Sequence, residues 1–232
     1  MTGVSHAVTP STGWAVLHLF CRADPVAGAD PGAVAAAVKA ATGDDHQVVT
    51  AVILGHKADL AVMALGPDMW RLRALQTDLQ RAGLRVEHSY LSLTEVSEYA
   101  AGLPEEIKEA RLHPRLPPEG KPAFCFYPMS KRREPGQNWY TLSYEKRLEL
   151  MHGHGRTGRT FAGRVLQLVT GSTGVDDFEW GVTLFGVHPD DLKAAVYTMR
   201  YDEASAVYAE FGPFFTGVVA PLDEALERAG LR

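Results

Sequence analysis

Apolar and polar positions alternate from Trp14 to Cys21, the period of a half-buried strand, and then give way to helical spacing in the Ala-rich stretch from Pro31 to Ala41, which Thr42-Gly43 ends. Alternation returns over Gln47 to Leu54 and Ala58 to Leu65. These two runs flank Gly55-His56-Lys57, a hairpin spacing. From Pro67 to Ala82, Met69, Leu72, Leu75 and Leu79 fall on one helical face, and after Gly83 the stretch Arg85 to Leu93 alternates again. Strand, helix, strand, strand, helix, strand is the split βαβ order of a ferredoxin-like unit.

The second half repeats that order. Ala123 to Tyr127 alternates as a strand, Ser143 to His154 is a helix capped by Ser143, and Thr160 to Thr170 pairs with Glu179 to Gly186 around Gly171-Ser172-Thr173-Gly174. Pro189 to Phe211 reads as one helix, Phe214 to Val219 as the closing strand, and Leu222 to Ala229 as a terminal helix. Between the halves, Ala101 to Lys121 is rich in charge and proline, with Leu116-Pro117-Pro118-Glu119-Gly120, and reads as a loop over a surface or a site. The expected fold class is α+β, two ferredoxin-like (βαββαβ) halves forming one α+β barrel. Residues 1–12 are a flexible tail, 13–100 the first half, 101–121 the connecting loop and 122–232 the second half, which carries the candidate site. The halves share element order and no obvious sequence identity.

Composition narrows the classes. With 232 residues, 46% of them hydrophobic, the chain can bury a substantial core and is not a disordered one. A formal net charge of -5 lacks the basic excess of a protein that neutralises phosphates, so nucleic acid is not an expected partner. Both cysteines, Cys21 and Cys125, sit in apolar alternating runs, which reads as buried free thiols in a reducing cytoplasm. The first thirteen residues lack the basic start and apolar centre of a signal peptide, and no apolar run approaches the roughly 20 residues of a membrane span.

Three segments bring candidate chemistry: Tyr127-Pro128-Met129-Ser130-Lys131, His154-Gly155-Arg156-Thr157-Gly158-Arg159, and Asp176-Asp177-Phe178-Glu179-Trp180. A phenol, an imidazole and several cations are what a redox site needs to hold an iron porphyrin by its metal and its carboxylates. On the helix from Ser143, Tyr144, Leu148 and Met151 define an apolar face, and His154 lies one turn beyond Met151, so it points inward. His152 is turned about 200° away and cannot share a metal with it. The bland alternative for His154 is a hydrogen-bonded residue near a helix end; Gly155 and Gly158, which could let a flat macrocycle approach the backbone, could equally be a plain helix stop. Tyr127, before Pro128, reads as the end of its strand, where a core tyrosine is the ordinary alternative. The run Lys131-Arg132-Arg133 is either a solvated face or a rim of cations beside that phenol.

With Asn138-Trp139-Tyr140, Thr170-Gly171-Ser172, the run Asp176 to Phe185, Met199-Arg200-Tyr201-Asp202-Glu203 and Glu210-Phe211-Gly212-Pro213-Phe214, these segments resemble the coproheme decarboxylases of the chlorite dismutase superfamily. The detailed match runs from about Tyr90 to Val218, the first half agreeing mainly in element order. The resemblance implies a dimeric α+β barrel assembling as a homopentamer. It also implies an activity: iron coproporphyrin III (coproheme) is oxidised by hydrogen peroxide to haem b, two propionates leaving as carbon dioxide, in the last step of a haem pathway. By position His154 would be the axial iron ligand, Tyr127 the phenol that passes through a tyrosyl radical and takes hydrogen from the propionate, and Lys131 the ammonium near the reacting carboxylates. Arg200 and Ser205 match propionate contacts, with an ion pair from Arg200 to Asp202 or Glu203 as the alternative. Trp180 matches a pocket lining or is plain core, Trp139 matches an aromatic close to the macrocycle, and Met129 lies in the matched strand. Arg111 is a further propionate candidate, in a region where the Leu116 to Gly120 loop is longer than the family's. A coproporphyrin ferrochelatase is the implied transient partner.

Gln167 separates branches of the superfamily: chlorite dismutases carry an arginine at the equivalent position, and an amide supplies no cation. Chlorite breakdown is thus the runner-up. His113 matches a distal histidine of another decarboxylase branch, but Met129, Gln167 and the basic run favour the branch without it. A haem or coproheme carrier is a third reading, and Tyr127 with Lys131 argues against it, because a carrier needs no phenol beside a propionate. An empty barrel of unrelated purpose is the fourth.

Overall fold

The computed structural model describes residues 6–231 apart from 25, 27 and 101, so the first five residues of the expected tail lie outside the described residues. The first half comprises β1 (Ala15–Ala23), α1 (Pro31–Ala41), β2 (Gln47–Ile53), β3 (Leu60–Gly66), α2 (Met69–Arg81) and β4 (Leu84–Thr94). Next come α3 (Glu105–Leu112), β5 (Ala123–Lys131), α4 (Tyr144–Arg159), β6 (Val165–Gly171) and β7 (Trp180–Gly186). The chain ends in α5 (Pro189–Met199), α6 (Glu203–Ala206), β8 (Ala209–Phe211), β9 (Phe215–Val219) and α7 (Leu222–Arg228). Capping fits the sequence: Asp30, Asp68 and Ser143 each accept a backbone N–H at the start of α1, α2 and α4.

The strands of the first half lie in the order β4-β1-β3-β2, and those of the second in the order β6-β7-β5-β9, all antiparallel. Both are the ferredoxin-like order. Pairing of β2 with β9 and of β4 with β6 joins the halves at both edges, so each of these eight strands has two neighbours and the sheet closes on itself. The seams are short, three residue pairs at β2–β9 and two at β4–β6. Packing agrees with closure: a single buried cluster, including Val16, Val49, Met63, Tyr90, Phe126, Leu168, Phe185 and Phe215, draws on all eight strands and fills the interior.

Four expectations from periodicity are corrected. The connecting stretch contains α3, whose surface is wholly polar or half-exposed, so its helical period is not marked by a buried face. The helix expected from Pro189 to Phe211 stops at Met199 and yields a four-residue helix and the strand β8, because the chain turns after Arg200, restarts a helix with Asp202 as its N-cap residue, and then pairs with β5. β5 does not end at Tyr127 but runs to Lys131; Pro128 is accommodated where the neighbouring strand breaks between β8 and β9. β6 begins only at Val165, residues 160–164 being a turn.

The two halves differ outside the barrel. α1 and α2 pack on each other and, with α7, seal the outer face of the first half over Leu17, Leu19, Leu60, Val62, Leu72 and Leu75. α4, the counterpart of α1, packs instead against α5, α6 and the short turn Glu98–Ala100, and buries only Leu150. The outer face of β5, β6 and β7 is therefore left partly uncovered.

Candidate active site

That uncovered face is where the candidate residues collect. Along β5 the side chains alternate, Phe124 and Phe126 going into the barrel while Cys125 and Tyr127 join the outer cluster with Val182, Leu184 and Leu192. Register carries the row across the sheet: Tyr127 pairs with Val182 and Val182 with Val169, while Met129 pairs with Trp180 and Trp180 with Gly171. Gln167 and Val169 are exposed on this face, and Trp180 is half-buried, its Nε1 donating to Glu95 Oε1 at 3.2 Å.

Tyr127 is buried, yet its hydroxyl meets no hydrogen-bond partner among the described residues. It borders a small cavity, partly open to solvent, lined also by Gly158, Phe161, Gln167, Val196 and Met199. The ring is held by Phe214, centroids 4.5 Å apart, and Phe211, 5.7 Å apart. Both rings reach it because the chain crosses Pro128 at Gly212, whose N–H bonds the Pro128 carbonyl at 2.9 Å and where a Cβ would collide with Pro128 and Phe178. Burial pushes the phenol above its usual range, and Arg200 opposes this. Tyr127 thus stays a neutral O–H donor.

On α4, His154 places Nδ1 3.3 Å from Asp202 Oδ2 at the N-cap of α6. The atoms are near enough to attract but are not aligned as a hydrogen bond, so both remain buried polar atoms without a partner. Thr157 Oγ1 donates to the other carboxylate oxygen, Oδ1, at 2.8 Å and fixes Asp202. Burial and then Lys131 lower the affinity of His154 for a proton and outweigh Asp202, which raises it; the net shift favours the neutral imidazole that can bind a metal. Its Nε2 is engaged by no described residue. Helix α4 continues to Arg159 through Gly153, Gly155 and Gly158, so these glycines do not stop it.

Lys131 is only 9% exposed; its Nζ donates to the Ala204 carbonyl at 2.6 Å and lies 4.1 Å from the centre of the Trp139 ring. Burial brings its pKa down to about 8, opposed by Glu179. Trp139 is itself buried against Tyr208. Glu179, also buried, accepts from the Lys131 N–H at 2.8 Å and pairs with Arg133. Arg200 pairs with neither Asp202 nor Glu203: its guanidinium lies over Phe211 at 5.2 Å, within electrostatic reach of Tyr127.

The structure brings together Tyr127, Met129, Lys131, Trp139, His154, Gln167, Trp180 and Arg200 between α4, α5 and the second-half sheet, with Ser205 half-buried on α6 one turn from Asp202. Arg111 is not drawn in: it stands exposed on the last turn of α3 with no contact to these residues. His113 is also outside, bonded to Glu109 and packed on Trp14. Sequence reasoning missed Asp202 beside His154, Thr157 as the residue that fixes Asp202, and Phe211 and Phe214 as the clamp on Tyr127. All four lie in or beside matched segments, but the contacts cross 45 residues or more and leave no local periodicity.

An iron porphyrin suits this donor set: one imidazole with a free Nε2 and an acid behind Nδ1, an uncovered sheet face with Val169 and Trp180, and an unpartnered phenol near a guanidinium. Among the described residues no cluster of three or more His, Cys, Asp or Glu could hold a bare metal ion, so a single imidazole is the metal donor on offer.

Known proteins resemble the chain along nearly its whole length. A coproheme decarboxylase from Staphylococcus carnosus (strain TM300) is 40% identical over 249 residues, covering 97% of this chain and 98% of the relative. A solved structure described as a novel heme-binding protein from Thermus thermophilus matches with a TM-score of 0.82 and 35% identity, over 97% of this chain and all of that one. Chlorite dismutase from Candidatus Nitrospira defluvii shares the fold at a TM-score of 0.77 and 21% identity, over 95% of this chain and 96% of its own. The chlorite dismutase family model matches residues 31–220, and the chain belongs to the chlorite dismutase family.

Proposed function

We propose that this protein converts iron coproporphyrin III to haem b, oxidatively removing two propionates as carbon dioxide at the expense of hydrogen peroxide. The observation that carries the reading is the Tyr127 phenol, buried, unpartnered, beside a cavity and within reach of the Arg200 guanidinium. A relative 40% identical along nearly the whole chain bears the name coproheme decarboxylase, which supports the same substrate. The bound iron porphyrin supplies the oxidising centre that peroxide activates.

His154 would hold the iron through Nε2, with the Asp202 carboxylate 3.3 Å behind Nδ1 and Thr157 fixing Asp202. Tyr127 would give up its phenolic hydrogen atom and take one from the propionate β-carbon, a step phenylalanine cannot perform. Each propionate then loses carbon dioxide and one further electron to leave a vinyl group, while one peroxide and one proton become two waters. Lys131, Arg200 and Ser205 would hold the porphyrin carboxylates, Met129, Trp139 and Trp180 would pack on the macrocycle, and Gln167 would face it from β6.

The site is expected to operate in the cytoplasm as the last step of coproporphyrin-dependent haem synthesis, in a homopentamer that meets a coproporphyrin ferrochelatase transiently. Among the described residues no helix is long and apolar enough to cross a membrane. An open apolar groove lined by Val8, Leu17, Met69, Leu91 and the exposed Trp70 is surface that such an assembly could bury. Loading the protein with iron coproporphyrin III, titrating peroxide and weighing the porphyrin by mass spectrometry tests the activity. Stepwise loss of two carboxyl groups is expected; tight binding without loss would point to a carrier and would make chlorite the next substrate to try.

A further inference from the structure

Tyr197 and Tyr201 take no part in the chemistry above. They lie one turn apart at the end of α5, 60% and 73% exposed, with ring centroids 5.3 Å apart and hydroxyls 2.7 Å apart. The ordinary reading of such a pair is an aromatic contact shielding a helix end, worth a few tenths of a kcal/mol. Their position adds to that. Val196 and Met199 of the same turns line the cavity beside Tyr127, and Arg200, next to Tyr201, covers Phe211, which packs on Tyr127. The pair therefore stands on the solvent side of a wall whose inner side is the buried phenol.

The hydrogen bond adds to it as well. A hydrogen-bonded pair of exposed phenols lets a phenoxyl on one ring take the hydrogen atom of the other, so the oxidation is shared between two rings at the surface. Tyr127 has no such partner among the described residues. With haem b bound the reacting propionates would be gone, so a Tyr127 radical would have no propionate C–H to attack.

We propose that the Tyr197–Tyr201 pair is a surface oxidation site at which small one-electron donors of the phenol class are oxidised by peroxide. One electron and one proton pass from the pair to the Tyr127 radical, restoring that phenol and leaving a phenoxyl at the surface. A soluble phenol then gives its hydrogen atom to the surface phenoxyl. Over a full cycle one peroxide and two phenols become two waters and two phenoxyl radicals. This rests on the role given to Tyr127 under the proposed function.

The test uses the protein loaded with haem b, hydrogen peroxide and guaiacol, in three forms: unaltered, Tyr197→Phe/Tyr201→Phe, and Tyr127→Phe. The Phe pair keeps both exposed rings, so the fold is preserved. Guaiacol oxidation should be largely lost in both altered forms, and without guaiacol the unaltered protein should accumulate oxidised or cross-linked tyrosine in the peptide carrying residues 197 and 201. Undiminished guaiacol oxidation in the Phe pair, or oxidation products only elsewhere in the chain, would overturn the site. Coproheme decarboxylation is followed in parallel and should be unchanged in the Phe pair. Its absence from the unaltered protein would overturn the proposed function separately, since guaiacol and peptide readouts do not depend on it.

Discussion

His18 lies inside the barrel, 1% exposed, its ring 4.2 Å from that of Phe126 and its Nε2 3.0 Å from Thr183 Oγ1, with Nδ1 unpartnered. No charge faces it, and burial alone brings its pKa from 6.5 down to about 3. As the pH falls through 6.5 the unfolded chain takes up a proton that the folded one refuses until about 3, so stability is complete above 6.5 and is lost progressively between those values. Each pH unit in that window costs about 1.4 kcal/mol, and at pH 4.5 the loss is about 2.7 kcal/mol. His18→Gln removes the titration and keeps a hydrogen-bonding atom for Thr183. Urea unfolding of both proteins at pH 7 and pH 4.5 isolates the effect, because every other titrating group is common to the two. The unaltered protein should lose about 2.7 kcal/mol more on acidification than the variant, roughly 1 M in urea midpoint for a slope of 2–3 kcal/mol per M. Equal losses would refute the reasoning and mean that the barrel interior admits a charged imidazole.

Three other outcomes are expected. Tyr127→Phe removes a hydroxyl with no partner among the described residues and keeps the contacts to Phe211 and Phe214, so stability should change by less than about 0.5 kcal/mol while decarboxylation stops and coproheme binding survives; thermal melting, mass spectrometry and an absorbance titration read the three. Asp202→Ala leaves Nδ1 of His154 without its acid and should weaken coproheme binding by about 10- to 100-fold, measured by the same titration, with unaltered affinity counting against His154 as the ligand. Gly217→Ala puts a methyl against the Val52 carbonyl at the three-pair β2–β9 seam and should cost about 1–3 kcal/mol in urea unfolding, whereas a neutral result would mean that the barrel does not depend on that close approach.

Element order was legible in the amino-acid pattern, because alternation and helical spacing are local properties: β1, α1, β2, α2 and β4 lie within about two residues of their predicted ends. So were the chemical groups available, Tyr127, Lys131 and His154 among them, and the inward aim of His154, which follows from helical period alone. Where long-range pairing competes with local period, sequence reading fell short. β8 lies in a stretch with a helical pattern, yet it pairs with β5, and α3 has no buried face to betray it. That α1 closes on its sheet and α4 does not depends on what each helix finds to pack against, α2 and α7 in one case, α5 and α6 in the other, and this emerges only from the folded chain. Folding alone brought Asp202 to His154, freed Arg200 from the neighbouring acids and set Phe211 and Phe214 on Tyr127. Those contacts join residues dozens of positions apart, and their geometry is fixed by barrel closure, which no local pattern encodes.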